Sequence, residues 1–233
     1  VDADAPLAAA SHLPGDAVGN GRQFTMLLKP QAQQLGVQFE FNCTVARIEP
    51  AQAATIFIAN ESTPRRFDAV VVCAGLASAA LLRPLGVPIP LAAVAGYSLS
   101  AAIREPLNAP VSAVVDGQHQ ISIARMGQRV RVAGGITMGS RPDTKNPATI
   151  ARLYKVLYDW FPGAAQLASN VQIWKGARPT LPDGTPLIGP SGLPGVWLNL
   201  GHGSYGWALA SGSARATADL VADGYEATIE LIN

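Results

Sequence analysis

The alternation of hydrophobic and polar residues marks the first helix and the first strand of the chain. After an Ala-, Pro- and Gly-rich start, Asn20 is placed to cap a helix that continues to about Gln34. Pro30 would kink or break this helix, and Gly36 would end it, because glycine commonly follows a helix C-terminus. Residues 37–41 (VQFEF) then alternate between apolar and polar, which predicts a half-buried strand.

Two further strands are predicted at residues 54–59 and 66–73, on either side of the polar turn 60–64. The second of them ends in VVVC (70–73), which is apolar on both faces. Such a strand is typical of the centre of a parallel sheet that is covered on both sides. The chain then enters a predicted helix at 78–82.

The middle of the chain changes to short strands at close spacing, which predicts an antiparallel sheet. These strands cover residues 94–103, 111–116, 121–125 and 130–135. A helix from Asn146 to about Trp160 follows, with Pro147 in its first turn. The remaining predicted elements are a strand at 171–174, a Pro- and Gly-rich segment at 176–195, a strand at 196–200 and a helix at about 204–222. The predicted fold class is therefore α/β (α+β), with α/β pieces on both sides of a β-rich middle.

The composition supports a well-packed protein and argues against several classes of function. Hydrophobic residues make up 48% of the sequence and charged residues only 14%, so we expect one large domain or two intimate ones. The formal net charge is +1 and no Lys/Arg cluster stands out, which argues against nucleic-acid binding. Cys43 and Cys73 have no Cys or His neighbour at metal-ligand spacing, so we expect no metal site. Two free thiols favour a reducing, cytoplasmic setting.

One motif close to the end of the sequence raises a question of chemistry. Gly201, Gly203 and Gly206 spell G-x-G-x-x-G between a predicted strand and a predicted helix. A nicotinamide-dinucleotide fingerprint would also need a parallel strand after residue 222, and the sequence there suggests none. Two readings stay open at this point. The loop is either a tight strand-to-helix turn without a ligand, or a site where a helix N-terminus faces a polarised ligand edge.

Three segments, taken together, carry a resemblance to a known family. They are VVVCAG (70–75), GARPTLPDGTPLIG (176–189) and LGHGSYGW (200–207). In this order they resemble the C-terminal half of the D-amino acid oxidase superfamily of FAD-dependent amine oxidoreductases, with the dehydrogenase branch as the nearest likeness. The resemblance implies part of an FAD-binding Rossmann-like domain plus an antiparallel substrate-binding sheet. It assigns 1–90 and 175–233 to the FAD-binding part and 91–174 to the substrate-binding part. No strand, glycine loop and helix for the ADP half of FAD open this chain, so we expect it to correspond to the second half of a member.

The resemblance also assigns roles to individual residues. Arg178 would pair with the substrate carboxylate through its planar guanidinium, and Tyr97 would help to hold that carboxylate. The residues at flavin-contacting positions are Val45, Cys73, Ala74, Gly75, Gly201, His202, Gly203, Ser204, Tyr205, Gly206 and Trp207. Residue chemistry alone leaves open a core role for Tyr97 and a structural role for His202. His12 and His119 match no functional position and are expected at the surface.

The implied activity is FAD-dependent oxidation of a D-amino acid to a 2-oxo acid and ammonia. The dehydrogenase branch implies a quinone or another acceptor instead of oxygen, and loose attachment to the inner face of the cell membrane. A relative that acts on glycine, sarcosine or proline-like amines is the nearest alternative. A different class of alternative is a non-catalytic fragment or assembly module that binds no flavin. Exposed apolar surface would then lead it to associate with itself, as a homo-oligomer.

Overall fold

The computed structural model describes residues 7–139 and 143–230, without the side chains of 225–230. The chain forms two compact units. The first unit comprises Val1–Ala32 and Ala95–Ala177, and the second unit comprises Gln33–Val94 and Arg178–Asn233. The predicted ranges 1–90 and 175–233 include residues 1–6 and 231–233, which lie outside the described residues. The functional division into 1–90, 91–174 and 175–233 stays a prediction.

An antiparallel sheet is the centre of the first unit, as the spacing of the short strands predicts. Its strands are β5 (Ala92–Ala102), β6 (Val114–Asp116), β7 (Ile121–Met126), β8 (Arg129–Met138) and β9 (Gln172–Thr180), in the order β6-β7-β8-β5-β9. β7 and β8 form a hairpin in which Ile123 pairs with Val132. β9 is longer than the predicted strand 171–174, because the chain stays extended through the Gly- and Pro-containing residues after Trp174.

One helix covers one face of this sheet and forms the core with it. Helix α3 (Pro147–Trp160) has the predicted bounds, since Asn146 Oδ1 accepts hydrogen bonds from the backbone N of Ala148 (3.0 Å) and Thr149 (3.3 Å). Its fully buried residues are Leu153, Val156 and Leu157. They share a core cluster with Tyr97, Leu99, Ala101, Ile121, Ile123, Val130 and Val132 of the strands. The apolar face of α3 and one face of the sheet therefore bury each other.

The first helix has the predicted bounds but presents no buried side chain. α1 spans Gly21–Gln34, and Asn20 Oδ1 accepts a hydrogen bond from Gln23 N (3.2 Å). Gly36 ends it with a φ of 90°. None of its residues is buried, and Met26 and Leu27 each expose more than three fifths of their surface. An amphipathic helix with an uncovered apolar side is unusual in a protein that acts as a monomer.

The second unit contains two small sheets. The first is an antiparallel meander of β1 (Val45–Glu49), β2 (Ala54–Ile58) and β3 (Arg65–Phe67). The second has the order β10-β11-β4 and joins β4 (Val70–Val72), β10 (Leu187–Pro190) and β11 (Val196–Leu200). β11 is antiparallel to β10 and parallel to β4. Helix α2 (Ser78–Leu82) follows β4, and helix α4 (Gly206–Glu230) follows β11. The unit's core cluster is Ile48, Ala54, Val72, Leu82, Val196, Leu198 and Leu200.

Three sequence predictions in the second unit need correction. Residues 37–41 do not form a strand; they are exposed coil, because no neighbouring strand pairs with them in the described part of the chain. The predicted strand 66–73 is two strands, β3 and β4, which belong to different sheets. β4 is also an edge strand of its described sheet instead of a central one, and Val71 is more than one third exposed. Among the described helices, none is both long and apolar enough to cross a membrane.

Candidate functional site

The glycine loop connects β11 to α4 in a left-handed backbone conformation that glycine adopts without strain. Gly201 and Gly203 have φ values of 82° and 54°, a region that other residues rarely adopt. A Cβ at Gly201 would lie 2.6 Å from Cδ1 of Leu181, so any other residue here would also have to displace the Leu181 side chain. A single 3-10 turn, Gly203–Tyr205, leads into α4 at Gly206.

The helix after the loop occupies the residues where a nicotinamide-dinucleotide fingerprint would need its next strand. α4 continues to Glu230, so no parallel strand follows residue 222 within the described residues. The helix is joined to β11 through Asn199, whose Nδ2 donates to Ser213 O (3.3 Å) and to Thr217 Oγ1 (2.8 Å), two to three turns into α4. The helix N-terminus, with its positive dipole end, therefore lies at the carboxyl end of β11.

The segment that contains Arg178 adjoins the glycine loop. Thr180, at the end of β9, forms an antiparallel bridge with His202. A Cβ at Gly203 would lie 3.3 Å from Thr180 Oγ1, and that hydroxyl donates to Arg178 O (3.2 Å). Arg178 is half-buried, and burial lowers the pKa of its guanidinium, which nevertheless stays charged in a protein. Thr180 was missed as a site residue, although it directly follows the Arg-Pro pair.

His202 has a buried ring nitrogen for which the described residues provide no partner. Its Nε2 is shielded from solvent and forms no hydrogen bond within the described part of the protein. Burial also lowers the pKa of the imidazole, so the ring is neutral at pH 7. In a neutral imidazole one nitrogen donates and the other accepts. An unsatisfied buried polar atom is costly, so this nitrogen is open to a hydrogen bond with a water molecule or a ligand.

The end of β4 lies at the same sheet edge as the glycine loop. Val72 pairs with Leu198 in parallel register, so both strands point their carboxyl ends to one side. Cys73 and Ala74 follow β4 and line an open cavity of about 720 Å³ together with Val45. Gly75 has a φ of 58°, and a Cβ there would meet no other atom within 4 Å. Small residues thus keep the strand end accessible to a ligand.

A second cavity, of about 590 Å³, lies on the opposite face of β4, against α4. Its lining includes Cys73, Asn199 and Thr217. Burial raises the pKa of the Cys73 thiol, so this group remains protonated at pH 7 and is a poor nucleophile or metal ligand. No group of three or more His, Cys, Asp or Glu side chains within the described residues could hold a metal ion.

The other predicted site residues are exposed beside the glycine loop or belong to the first unit. Ser204, Tyr205 and Trp207 are exposed at the start of α4. Tyr97 belongs to the first unit, is only 2% exposed, and its hydroxyl accepts a hydrogen bond from Asn146 N (3.1 Å) at the start of α3. This placement favours the alternative of a core tyrosine, and a role in carboxylate binding stays a prediction.

Sequence comparison identifies relatives along almost the whole chain. A family model for FAD dependent oxidoreductases (DAO) matches residues 2–220. A protein from Cereibacter sphaeroides (strain ATCC 17029 / ATH 2.4.9) named D-amino acid dehydrogenase is 39% identical over 226 residues, which are 96% of this chain and 51% of that protein. A protein of the same name from Xylella fastidiosa (strain M12) is 37% identical over 95% of this chain and 51% of its own length. The chain spans about half the length of the curated relatives it matches.

Comparison of structures gives the same fold. Iminodiacetate oxidase from Chelativorans sp. BNC1 superposes with a TM-score of 0.75 at 20% identity, over 87% of this chain and 55% of that one. Glycine oxidase from Geobacillus kaustophilus gives a TM-score of 0.71 at 21% identity, over 82% of this chain and 51% of that one. At these identities the likeness concerns the fold alone.

Proposed function

This chain belongs to the DAO family of FAD-dependent oxidoreductases, and on that premise we propose that the protein containing it oxidises D-amino acids to 2-oxo acids and ammonia. The name D-amino acid dehydrogenase, shared by relatives at 37% and 39% identity, supports this substrate class. Bound FAD would supply the hydride acceptor for the amino acid, and water would then convert the resulting imino acid to the 2-oxo acid and ammonia. We further propose an acceptor such as a quinone, and hence a position at the cytoplasmic face of the cell membrane; both rest on the resemblance alone.

The residues present fit an FAD molecule. The unpartnered Nε2 of His202 and the open, small-residue strand end at Gly75 are features that a bound cofactor would satisfy. In this proposal Val45, Cys73, Ala74 and Gly75 hold the ribose-diphosphate and adenine portion beside the cavity that they line. The loop from Gly201 to Trp207 contacts the flavin ring, and the helix N-terminus behind it stabilises negative charge there.

Arg178 is the proposed binding residue for the substrate carboxylate. The observation that carries the proposal is the bridge between Thr180 and His202, because it places the segment of Arg178 directly beside the glycine loop. A guanidinium forms two parallel hydrogen bonds with a carboxylate, which orients the substrate as well as binding it. Because the side chain is half-buried, water competes weakly for these bonds.

The test is the visible absorption spectrum of the chain after addition of FAD and removal of the excess. We expect retained flavin bands that D-alanine bleaches in the absence of oxygen and L-alanine does not. Bleaching by glycine or sarcosine but not by D-alanine would replace the proposal by the alternative of a glycine- or sarcosine-type enzyme. A colourless chain would contradict FAD binding by these residues alone.

His202 gives a sharper prediction for the cofactor. His202→Phe keeps an aromatic ring but removes both nitrogens, so we expect FAD to bind about three- to tenfold more weakly, the value of one hydrogen bond. The dissociation constant is measured by quenching of FAD fluorescence. His12→Phe is the matched control, because His12 is exposed and its substitution should leave the constant unchanged. Equal constants for the His202 variant and the unsubstituted chain would remove this residue from the site.

The uncovered side of α1 favours a second candidate, an assembly module. Phe24, Leu27 and Leu28 on this helix are each more than two fifths exposed. If this surface drives association, the molar mass measured by light scattering should rise with concentration. Leu27→Glu should keep the chain monomeric at concentrations where the unsubstituted chain dimerises, whereas Lys29→Glu, on the same helix, should not. A monomer at all concentrations would reject this candidate.

A further inference from the structure

The five-stranded sheet of the first unit has a second face, opposite α3, that the proposed function has not used. Side chains alternate between the faces of a strand, and Val130 and Val132 of β8 belong to the core cluster with α3. Arg129 and Arg131 therefore lie on the opposite face. On β5 the same alternation places Leu99 in the core and Ser98 and Ser100 on the opposite face.

Arg129 forms three hydrogen bonds within the fold, and they agree with this arrangement. Its Nε donates to Ser100 Oγ (2.8 Å), and its second guanidinium nitrogen donates to Ser100 O (2.7 Å) and Asn170 O (3.1 Å). These bonds run between β8 and β5 on the face away from α3. Arg129 is thus a structural arginine that joins neighbouring segments and uses three of its five N–H donors to do so.

Arg131 differs from Arg129 in that nothing in the described part of the protein engages it. Its side chain is half-buried, yet it forms no hydrogen bond or ion pair with any described residue. The strands β5, β7, β8 and β9 contain no Asp or Glu. The acidic residue of β6, Asp116, is already bonded to His119 and Trp160. A half-buried guanidinium without an internal anion is a favourable place for an external one.

We propose that Arg131 is an anion-binding residue on this sheet face, and that its ligand is a carboxylate of the amino-acid substrate. This identification rests on the proposed function, which supplies the substrate class. The guanidinium would take the carboxylate in a two-bond fork, and Ser98, only 8% exposed, offers a hydroxyl on the same face. The carboxylate has two sources. It is the side-chain carboxylate of an acidic amino acid, or the α-carboxylate of every amino acid, in which case Arg131 takes the role proposed above for Arg178.

The experiment follows the Nε–H resonance of Arg131 by NMR in the full chain without flavin. We expect acetate to shift this resonance in a saturable manner and acetamide, which is neutral and of similar shape, to leave it unchanged. D-Alanine, compared with its methyl ester, then tests the α-carboxylate. A shift with D-glutamate but not with D-alanine would assign the site to a side-chain carboxylate. No saturable shift with any of these carboxylates would overturn the proposal.

Two substitutions make the result specific. In the variants, which lack the Arg131 Nε–H, acetate binding is followed by the backbone amide resonances of β8. Arg131→Gln should weaken it by about tenfold or more, as expected for the loss of a charge-assisted pair. Arg131→Lys keeps the positive charge but cannot form two parallel hydrogen bonds, so its dissociation constant for acetate should lie between those of the unsubstituted chain and Arg131→Gln. A graded loss of this kind would not be expected if the substitutions acted by disturbing the fold. Arg125→Gln is the control, because Arg125 is exposed on β7 and donates to Gly127 O. An equal loss in the control would also overturn the proposal. Because flavin is absent, failure of this test and failure of D-alanine oxidation are separate results.

Discussion

Replacing Gly195 by alanine is expected to lower the free energy of unfolding of the second unit by about 3 kcal/mol. Gly195 immediately precedes β11 and has a φ of 70°, which strains any residue with a side chain. A Cβ there would overlap the carbonyl oxygen of Ala51 and lie 3.3 Å from Cβ and N of Ala54. Those are backbone or near-backbone atoms, so they cannot move aside as the end of a flexible side chain would.

The same position also supports the pairing of β4. The carbonyl oxygen of Gly195 accepts a hydrogen bond from Val70 N (2.8 Å), so a displaced residue 195 would weaken the junction of β11 and β4. Chemical denaturation measures the effect. Gly192→Ala is the matched control, since Gly192 has a φ of 83° but open space around it, and should cost only about 1 kcal/mol of backbone strain. If both variants lost the same free energy of unfolding, the overlap at residue 195 would cost nothing and the prediction would be wrong.

Asp116→Ala is expected to have the second large effect. It should lower the free energy of unfolding of the first unit by about 3 kcal/mol. Asp116 is 6% exposed and ends β6. It accepts hydrogen bonds of 2.9 Å from His119 N, His119 Nδ1 and Trp160 Nε1. Removal of the carboxylate leaves these donors without a partner and disconnects the β6–β7 turn from the end of α3. Asp159→Ala, which breaks only the surface pair with Lys155, should cost about 0.5 kcal/mol.

The pKa of Asp116 also predicts how the free energy of unfolding changes as the pH falls. Burial by itself raises the pKa of Asp116, but the hydrogen bonds from the His119 backbone, Trp160 and the His119 ring outweigh burial, and the net pKa is lowered. A lowered folded-state pKa stabilises the protein above the unfolded-state value, and this contribution is lost as pH falls through the folded-state value. The stability difference between the unsubstituted chain and Asp116→Asn should therefore shrink below about pH 4. A difference that is constant from pH 7 to pH 3 would contradict this assignment.

Elements with strong local signals could be predicted from the sequence. α3 begins and ends as predicted, because Asn146 and Pro147 define its start without help from distant residues. β11 likewise has the predicted bounds. The glycine loop was located for the same reason, since a positive φ at Gly201 and Gly203 is a local requirement that only glycine meets easily.

Features that depend on distant partners were missed. Residues 37–41 alternate as a strand does, but alternation forms a strand only where another strand pairs with it. His119, expected at the surface, is partly exposed, and no pattern in the sequence indicated that Asp116, its partner, also binds Trp160, which is more than forty residues away. The bridge of Thr180 to His202 joins residues more than twenty positions apart, and no local pattern encodes it or the unpartnered Nε2.

The parallel pairing of β4 with β11 has a consequence for synthesis of the chain. Val70 pairs with Val196, and the whole segment Ala95–Ala177 is translated between them. At a synthesis rate of about 5–20 residues per second, on the order of ten seconds pass between the synthesis of β4 and that of β11. The first unit has its strands from β5 to β8 and helix α3 available during that interval. We therefore expect a translational pause before residue 196 to favour completion of the first unit, and to lengthen the time for which a chaperone can bind the valines of β4.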